Sequence, residues 1–398
     1  MTASIIGTSA FDPEARVSPH EKLKDLREQC PVFRDEPVKT WFLTRYDDVR
    51  ETVNDRSLWR NGRHSEDGAL LKRMDRDDGP RTDSILSMDE PDHSRVRLPL
   101  AKAFYARITA MKPQIEAIID QVIDEQPADR PFDLIGDLAI PIPILVIAAI
   151  LGVERERMRE FREWSEASIL GLNPVRSPEQ TTLMEWGSEK LTSYFTALMA
   201  ARRAAPQDDL ISDMVQLQAG GAPLADEEVR VNLSALLIGG NLTTTDLIGN
   251  GVWLLLNYPE ELAKLRADPS LAGAAVEEIL RFEGPVAITS RVVSDERQVG
   301  GCPMHAHQSV IASLHAANRD PQVFEEPNRF DITRKHVPHV AFGGGSHICI
   351  GAPLARIEAR QALVKLLARF PDLKLAGPEP TWRALPFFRG MEALMVQG

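Results

Sequence analysis

From about Ile108 onward, apolar residues recur every three or four positions, the period of a helix with one buried face. Met111 to Glu125 places Ile115, Ile118, Ile119 and Val122 on one side, and Ser188 to Ala204 repeats the period. Ala225 to Asn257 is long for a globular helix and apolar nearly all round, which predicts a central, buried element. A further helix is expected over Ala352 to Ala368. Strand signals are fewer. Thr40-Trp41-Phe42-Leu43-Thr44 is aromatic and β-branched between Pro37 and the Asp47-Asp48 pair. Ser290 to Val293 and Val310 to Leu314 read the same way. The pattern predicts a mainly α chain with a minor β region.

Nothing in the composition divides it. No linker, repeat or low-complexity run interrupts the 398 residues, which read as a single domain, 1–398. Lys+Arg 46 against Asp+Glu 58 gives a net charge of −12, which argues against a nucleic-acid partner. The three cysteines, Cys30, Cys302 and Cys349, make no disulfide framework and fit a reducing cytoplasm. Met1 to His20 lacks the basic and apolar halves of a targeting signal. The most apolar stretch, Leu138 to Gly152, holds Pro141 and Pro143 and is too short to span a bilayer, so no membrane contact is expected.

Candidate chemistry sits in Phe342-Gly343-Gly344-Gly345-Ser346-His347-Ile348-Cys349-Ile350-Gly351, a glycine-rich turn opening into a helix. A thiolate is a soft, strongly donating metal ligand. The glycines let the backbone pass close to a large flat group. The helix N-terminus is expected to lower the thiol pKa. Zinc fits poorly, because His347 and Cys349 sit two apart and no C-x-x-C completes four ligands. Phosphate also fits poorly, since no Lys-Ser/Thr pair ends the loop. Read alone, a cysteine such as Cys349 is more often a small buried hydrophobe than a ligand.

Phe-x-x-Gly-x-His-x-Cys-x-Gly followed by Ala352-Pro353-Leu354-Ala355-Arg356 resembles the heme-binding segment of the cytochrome P450 family. Upstream, Glu278-Ile279-Leu280-Arg281 resembles that family's E-x-x-R. Asn328-Arg329-Phe330 resembles the segment whose arginine completes an ion triad with it, and Met88 to Arg97 resembles the helix carrying His-x-x-x-Arg. The resemblance runs from Pro31-Val32-Phe33 to Arg389-Gly390-Met391. It implies the P450 fold, a long central helix over heme b (iron protoporphyrin IX), and Cys349 as the axial ligand of its iron. Phe342, Gly343 and Gly351 would frame that ligand, and His93, Arg97, Arg291 and His347 would hold the propionates. Glu278, Arg281 and Arg329 would form a structural triad.

The resemblance also assigns Gly239-Gly240-Asn241-Leu242-Thr243-Thr244-Thr245-Asp246 to oxygen activation. Gly239 and Gly240 would permit a helix distortion and Thr243 would present the hydroxyl that faces dioxygen. Leu242 stands where the family has an acid, so protons would come through Thr243 and Thr244 or from Asp246. Leu236, Gly240, Thr243, Val286, Ala287, Thr289, Phe387 and Phe388 would line a pocket for a small to medium hydrophobic substrate. The segment Arg60 to Ser87, with Arg60, Arg63, His64, Lys72, Arg73, Arg76 and Arg81, reads as a solvated loop, with a cation that binds a substrate carboxylate as the alternative.

No G-x-G-x-x-G lies in a strand–helix setting, so electrons are expected from outside. An acidic ferredoxin with its ferredoxin reductase would dock on a basic patch of Arg95, Lys102, Arg107, Arg356 and Arg360. The leading expectation is a heme-thiolate monooxygenase. A peroxygenase or isomerase needing no reductase, and a non-enzymatic heme ligand sensor, are the alternatives.

Overall fold

The long apolar segment folds as a 32-residue helix, Asp226–Asn257, and it is the axis of the molecule. It packs on helices Pro141–Leu151, Met158–Ile169, Pro178–Ala204, Ala272–Glu283 and Ala352–Arg369. Two of its glycines are needed for these contacts. A Cβ on Gly249 would lie 2.5 Å from Ile135 Cδ1, and one on Gly251 would lie 3.0 Å from Ile279 Cδ1. The computed structural model describes residues 4–9, 12–74 and 82–398.

The periodic segments fold where expected, with one extension. Helix Lys112–Asp124 buries Ile115, Ile119 and Val122. The helix expected from Ser188 starts at Pro178, because Ser177 caps it in a box with Gln180 and proline is tolerated in the first turn. Leu134–Ala139 forms a π-helical turn capped by Asp133 and runs into helix Pro141–Leu151. Leu134–Leu151 is long and apolar enough to cross a membrane, but 72% of it is buried inside the protein.

The strands are β1 Val32–Asp35, β2 Thr40–Leu43, β3 Phe132–Asp133, β4 Ile288–Val292, β5 Arg297–Val299, β6 Cys302–Met304, β7 Ser309–Ser313, β8 Lys374–Leu375 and β9 Met395–Gln397. The main sheet has the order β1-β2-β7-β4, with β2 and β7 parallel and the other pairs antiparallel. β7 is buried at all five positions, as its continuous apolar run requires. In register Trp41 faces Val310, and Val310 faces Arg291. The sheet thus carries Arg291 toward the rest of the site.

Candidate active site

The glycine-rich loop folds back on itself before its helix begins. Cys349 donates its backbone N–H to Phe342 O at 3.0 Å, and Gly343 and Gly345 take φ of +70° and +62°, a region costly for side chains. The reason for the other glycines differs from expectation. A Cβ on Gly344 would lie 2.8 Å from Val53 Cγ2, and one on Gly345 would lie 2.8 Å from Val53 O. The loop is therefore pressed onto the end of helix Tyr46–Asn54, and Gly345 N–H bonds Asn54 Oδ1 at 2.9 Å.

Cys349 is exposed as a residue, yet desolvation of its sulfur pushes the thiol pKa up. The N–H groups of Gly351 and Ala352 and the Arg97 charge pull the other way without winning. The expected lowering by the helix N-terminus is thus corrected. A coordinating metal deprotonates a thiol outright, so ligation does not depend on that lowering.

Around the loop the protein gathers basic side chains that have few partners. His93 is 1% exposed and neither of its ring nitrogens is hydrogen-bonded. Its ring lies 4.1 Å from that of His347, whose Nδ1 is likewise buried and unbonded. Glu90, the carboxylate nearest His93 at 3.5 Å, is bonded to Ser94. Arg97 donates to Ile348 O at 2.5 Å, and Arg291 donates to Val53 O and Ser290 O at 2.8 Å each. None of these guanidinium bonds goes to a carboxylate. Burial pushes the His347 pKa down to about 2, helped by Arg60, His93, Arg291 and Arg97. Orphaned buried donors of this kind call for an anion. The set fits a cofactor with two carboxylates and a metal that takes one thiolate.

Thr243 is half-buried on the central helix and donates its hydroxyl to Gly239 O at 2.8 Å. Gly239 is exposed and nothing lies within 4 Å of its Cβ position. Gly240 instead packs on Ile147 at 3.3 Å, so Gly239 is the residue facing open space. The helix runs unbroken through both glycines, in place of the distortion expected there. Thr244 is 4% exposed, and Leu242 is 2% exposed. Asp246, the expected proton source, is buried and bound through both oxygens to Arg383, beneath Gly390. Desolvation raises its pKa to about 6 against the pull of Arg383 and Arg162.

The ion triad forms with a different third member. Arg281 holds Glu278 through two bonds of 2.7 Å, both side chains fully buried. Arg329 points outward, 54% exposed, to Glu326 and Asp331. Arg334 takes its place with Nε 3.1 Å from Glu278 Oε1, and also donates to three carbonyls. Arg329 contributes only its carbonyl, to Arg281 and Arg334. Five residues separate the two arginines, and spacing alone does not choose between them.

Of the expected pocket residues, Leu236 is buried on the central helix while Val286, Ala287 and Thr289 are half-buried along or just before β4. The phenylalanines part company. Phe387, at φ +69°, joins the core of Phe33, Phe42 and Leu70, and Phe388 stays half-buried, bridged to Val286. Ala287, Phe387 and Phe388 do share a cavity with Thr8, Leu23 and Trp382, but its volume of about 30 Å³ holds little more than one water.

The segment from Arg60 is less solvated than expected. Arg60 donates to Leu86 O at 3.0 Å, Ser290 O at 2.6 Å, Ser290 Oγ at 2.7 Å and Thr289 Oγ1 at 3.2 Å. Lys72 binds Arg63 O, Arg73 binds Pro37 O, and Arg76 and Arg81 lie outside the described residues. The expected basic patch is largely neutralised. Arg95 is paired with Asp92 and Glu228, Arg107 with Asp208 and Asp213, and Arg356 with Glu277.

Comparison with known proteins places this geometry. The family profile described as cytochrome P450 matches residues 188–381. Cytochrome P450 107B1 of Saccharopolyspora erythraea is 37% identical over 100% of this chain and 99% of its own length. The vitamin D(3) 25-hydroxylase of Pseudonocardia autotrophica is 37% identical over 95% of this chain and 93% of its own. A myxobacterial P450 solved with myristic acid superposes with a TM-score of 0.89 at 37% identity, covering 97% of this chain and 98% of that one. With the Cys349 loop and its cation cradle, these similarities mean that the chain belongs to the cytochrome P450 family and is a heme b-dependent, heme-thiolate monooxygenase.

Proposed function

We propose that this enzyme oxidises a medium-sized hydrophobic molecule in the cytoplasm, with electrons from a ferredoxin. Bound heme supplies dioxygen activation and the insertion of one oxygen atom into an unactivated C–H bond. In this reading Cys349 takes the iron, with the Gly351 and Ala352 N–H groups tuning the sulfur. His93, Arg97, Arg291 and His347 would hold the propionates through ring nitrogens and guanidinium groups, of which, among the described residues, only His93 has a carboxylate within ion-pair distance, Glu90 at 3.5 Å. Phe342 and Gly343 shape the loop, and Glu278, Arg281 and Arg334 lock the helix behind it.

The observation that carries the oxygenase reading is the turn Gly239 to Thr243, a hydroxyl on the half-buried face of an otherwise buried helix, beside a bare glycine. With one bond given to Gly239 O, the Thr243 oxygen keeps its acceptor capacity for a proton-bearing partner. Leu236, Val286 and Ala287 make the neighbouring surface apolar, which suits an apolar substrate. The relatives named for vitamin D(3) hydroxylation and crystallised with myristic acid support the same class. Three unpaired cysteines support a reducing compartment.

The test is turnover of purified holoprotein on myristic acid and on a flat terpenoid. Product that needs dioxygen, ferredoxin and reductase together is the expected result. Product from peroxide alone at equal rate would favour the peroxygenase reading.

A further inference from the structure

Two guanidinium groups meet where the substrate strand joins the cofactor cradle. Arg60 Nη1 and Arg291 Nη1 both donate to the same carbonyl, Ser290 O, at 2.6 and 2.8 Å. Arg291 is 3% exposed. Like charges this close, in a half-dry setting, repel unless an anion lies between or beside them. Burial and the neighbouring Arg60 charge together push the Arg291 pKa down to about 9.

Asp89 acts on the Arg60 and Arg291 charges only through space, without a bond to either guanidinium. Asp89 accepts the backbone N–H groups of Arg60 and Asn61 and lies 3.4 Å from His64 Nε2, so it positions the segment and leaves the guanidinium. Arg60 is preorganised as well. Trp59 and Val292 exchange backbone bonds of 2.9 and 2.8 Å, fixing the segment alongside β4. Four acceptors then fix Nε and Nη1, and Nη2 takes part in none of those bonds. A guanidinium held through Nε and Nη1, with Nη2 open, can still donate a charge-assisted bond to one carboxylate oxygen.

We propose that Arg60 and Arg291 form a carboxylate-binding pair at this junction, taking either a heme propionate or the carboxylate of the substrate. The position favours neither source by itself. Thr289, which Arg60 touches, belongs to the half-buried strand facing the substrate side, while Arg291 belongs to the cradle shared with His347. The proposal rests on the heme-thiolate reading, and a wild-type protein without a heme Soret band would defeat that reading separately.

The experiment uses holoprotein and the variants Arg60→Gln and Arg60→Lys. Each is first checked for its reduced CO band and thermal midpoint. Heme transfer to excess apomyoglobin tests the propionate source. Arg60→Gln is then expected to speed transfer about tenfold, with Arg60→Lys between it and wild type. Spin-state titration with myristic acid and with the matching alcohol tests the substrate source. In that case Arg60→Gln raises the Kd of the acid about tenfold, leaving the alcohol and heme transfer unchanged. If Arg60→Gln alters neither heme transfer nor the acid-to-alcohol preference, the pair is structural and the proposal is overturned. Should Arg60→Gln not fold, Arg60→Lys must still shift one readout, because a point charge does not reproduce the fork.

Discussion

Thr243 spends its one proton on Gly239 O, an intrahelical bond that many mid-helix threonines make. What separates it from Thr245, which makes the same bond to Asn241 O at 2.9 Å, is exposure. Thr245 is fully buried, and Thr243 faces the open side beside Gly239. Its neighbours on the central helix among the described residues offer no free acid. Leu242 cannot titrate, and Asp246 is committed to Arg383. In the proposed function proton delivery runs through water ordered by the Thr243 hydroxyl, and Thr243→Ala is then expected to uncouple the enzyme. Reductant consumption should continue while the product fraction falls several-fold and peroxide accumulates. Thr243→Ser, which keeps the hydroxyl, should restore most of the coupling. Equal coupling in the alanine variant would remove Thr243 from the mechanism.

Two elements hold the site in place, and each makes a prediction. Helix Ala272–Glu283 is tied to the segment after Pro327 by Glu278, Arg281 and Arg334. Removing one partner of a fully buried ion set costs about 3–5 kcal/mol, whereas an exposed pair contributes under about 1 kcal/mol. Arg334→Ala is thus expected to abolish heme incorporation, as is Glu278→Ala, while Arg329→Ala keeps normal heme content per protein. The reverse order of the two arginine variants would restore the sequence-based assignment. The second element is helix His20–Gln29, anchored by His20 to Glu283, which also binds Arg389 and, more distantly, Arg319. Burial pushes the His20 pKa down to about 3 and also lowers that of His315, while the surrounding cations hold Glu283 well below its usual range. Below pH about 6.5 the unfolded chain binds more protons on these histidines than the folded chain does. Stability should therefore fall as pH drops from about 6.5 toward 3, with Glu283 adding to the loss below about 4.5. His20→Asn should flatten that slope by up to one proton in a plot of unfolding free energy against pH.

At the scale of the whole molecule, the periodic helices, the strands and the thiolate loop were legible because local chemistry fixes them. Cys349, Glu278 and Arg281 could be read from motifs. Arg334 and Arg60 could not, since their roles come from contacts spanning 56 and about 230 residues of chain. The pairing within the expected basic patch was hidden for the same reason. Five basic residues looked like a patch, but Arg95, Arg107 and Arg356 meet acids from distant helices. What the chain leaves outward is different. Lys102 and Arg360 form no ion pair among the described residues, and Leu98 and Ile348 are 69% and 49% exposed beside them or beside Cys349. In the proposed function, on a protein of net charge −12, these two cations are the ones left to meet an acidic ferredoxin. Lys102→Glu with Arg360→Glu should raise the KM for ferredoxin several-fold at low ionic strength. The effect should shrink as salt shortens the Debye length to about 10 Å at 0.1 M. Arg107→Glu faces Asp208 and Asp213, so it should lower the melting temperature and leave the KM per folded holoprotein unchanged. If Arg107→Glu instead gives the salt-dependent KM change and the double variant does not, ferredoxin docks nearer the helix Leu210–Ala219 than Cys349.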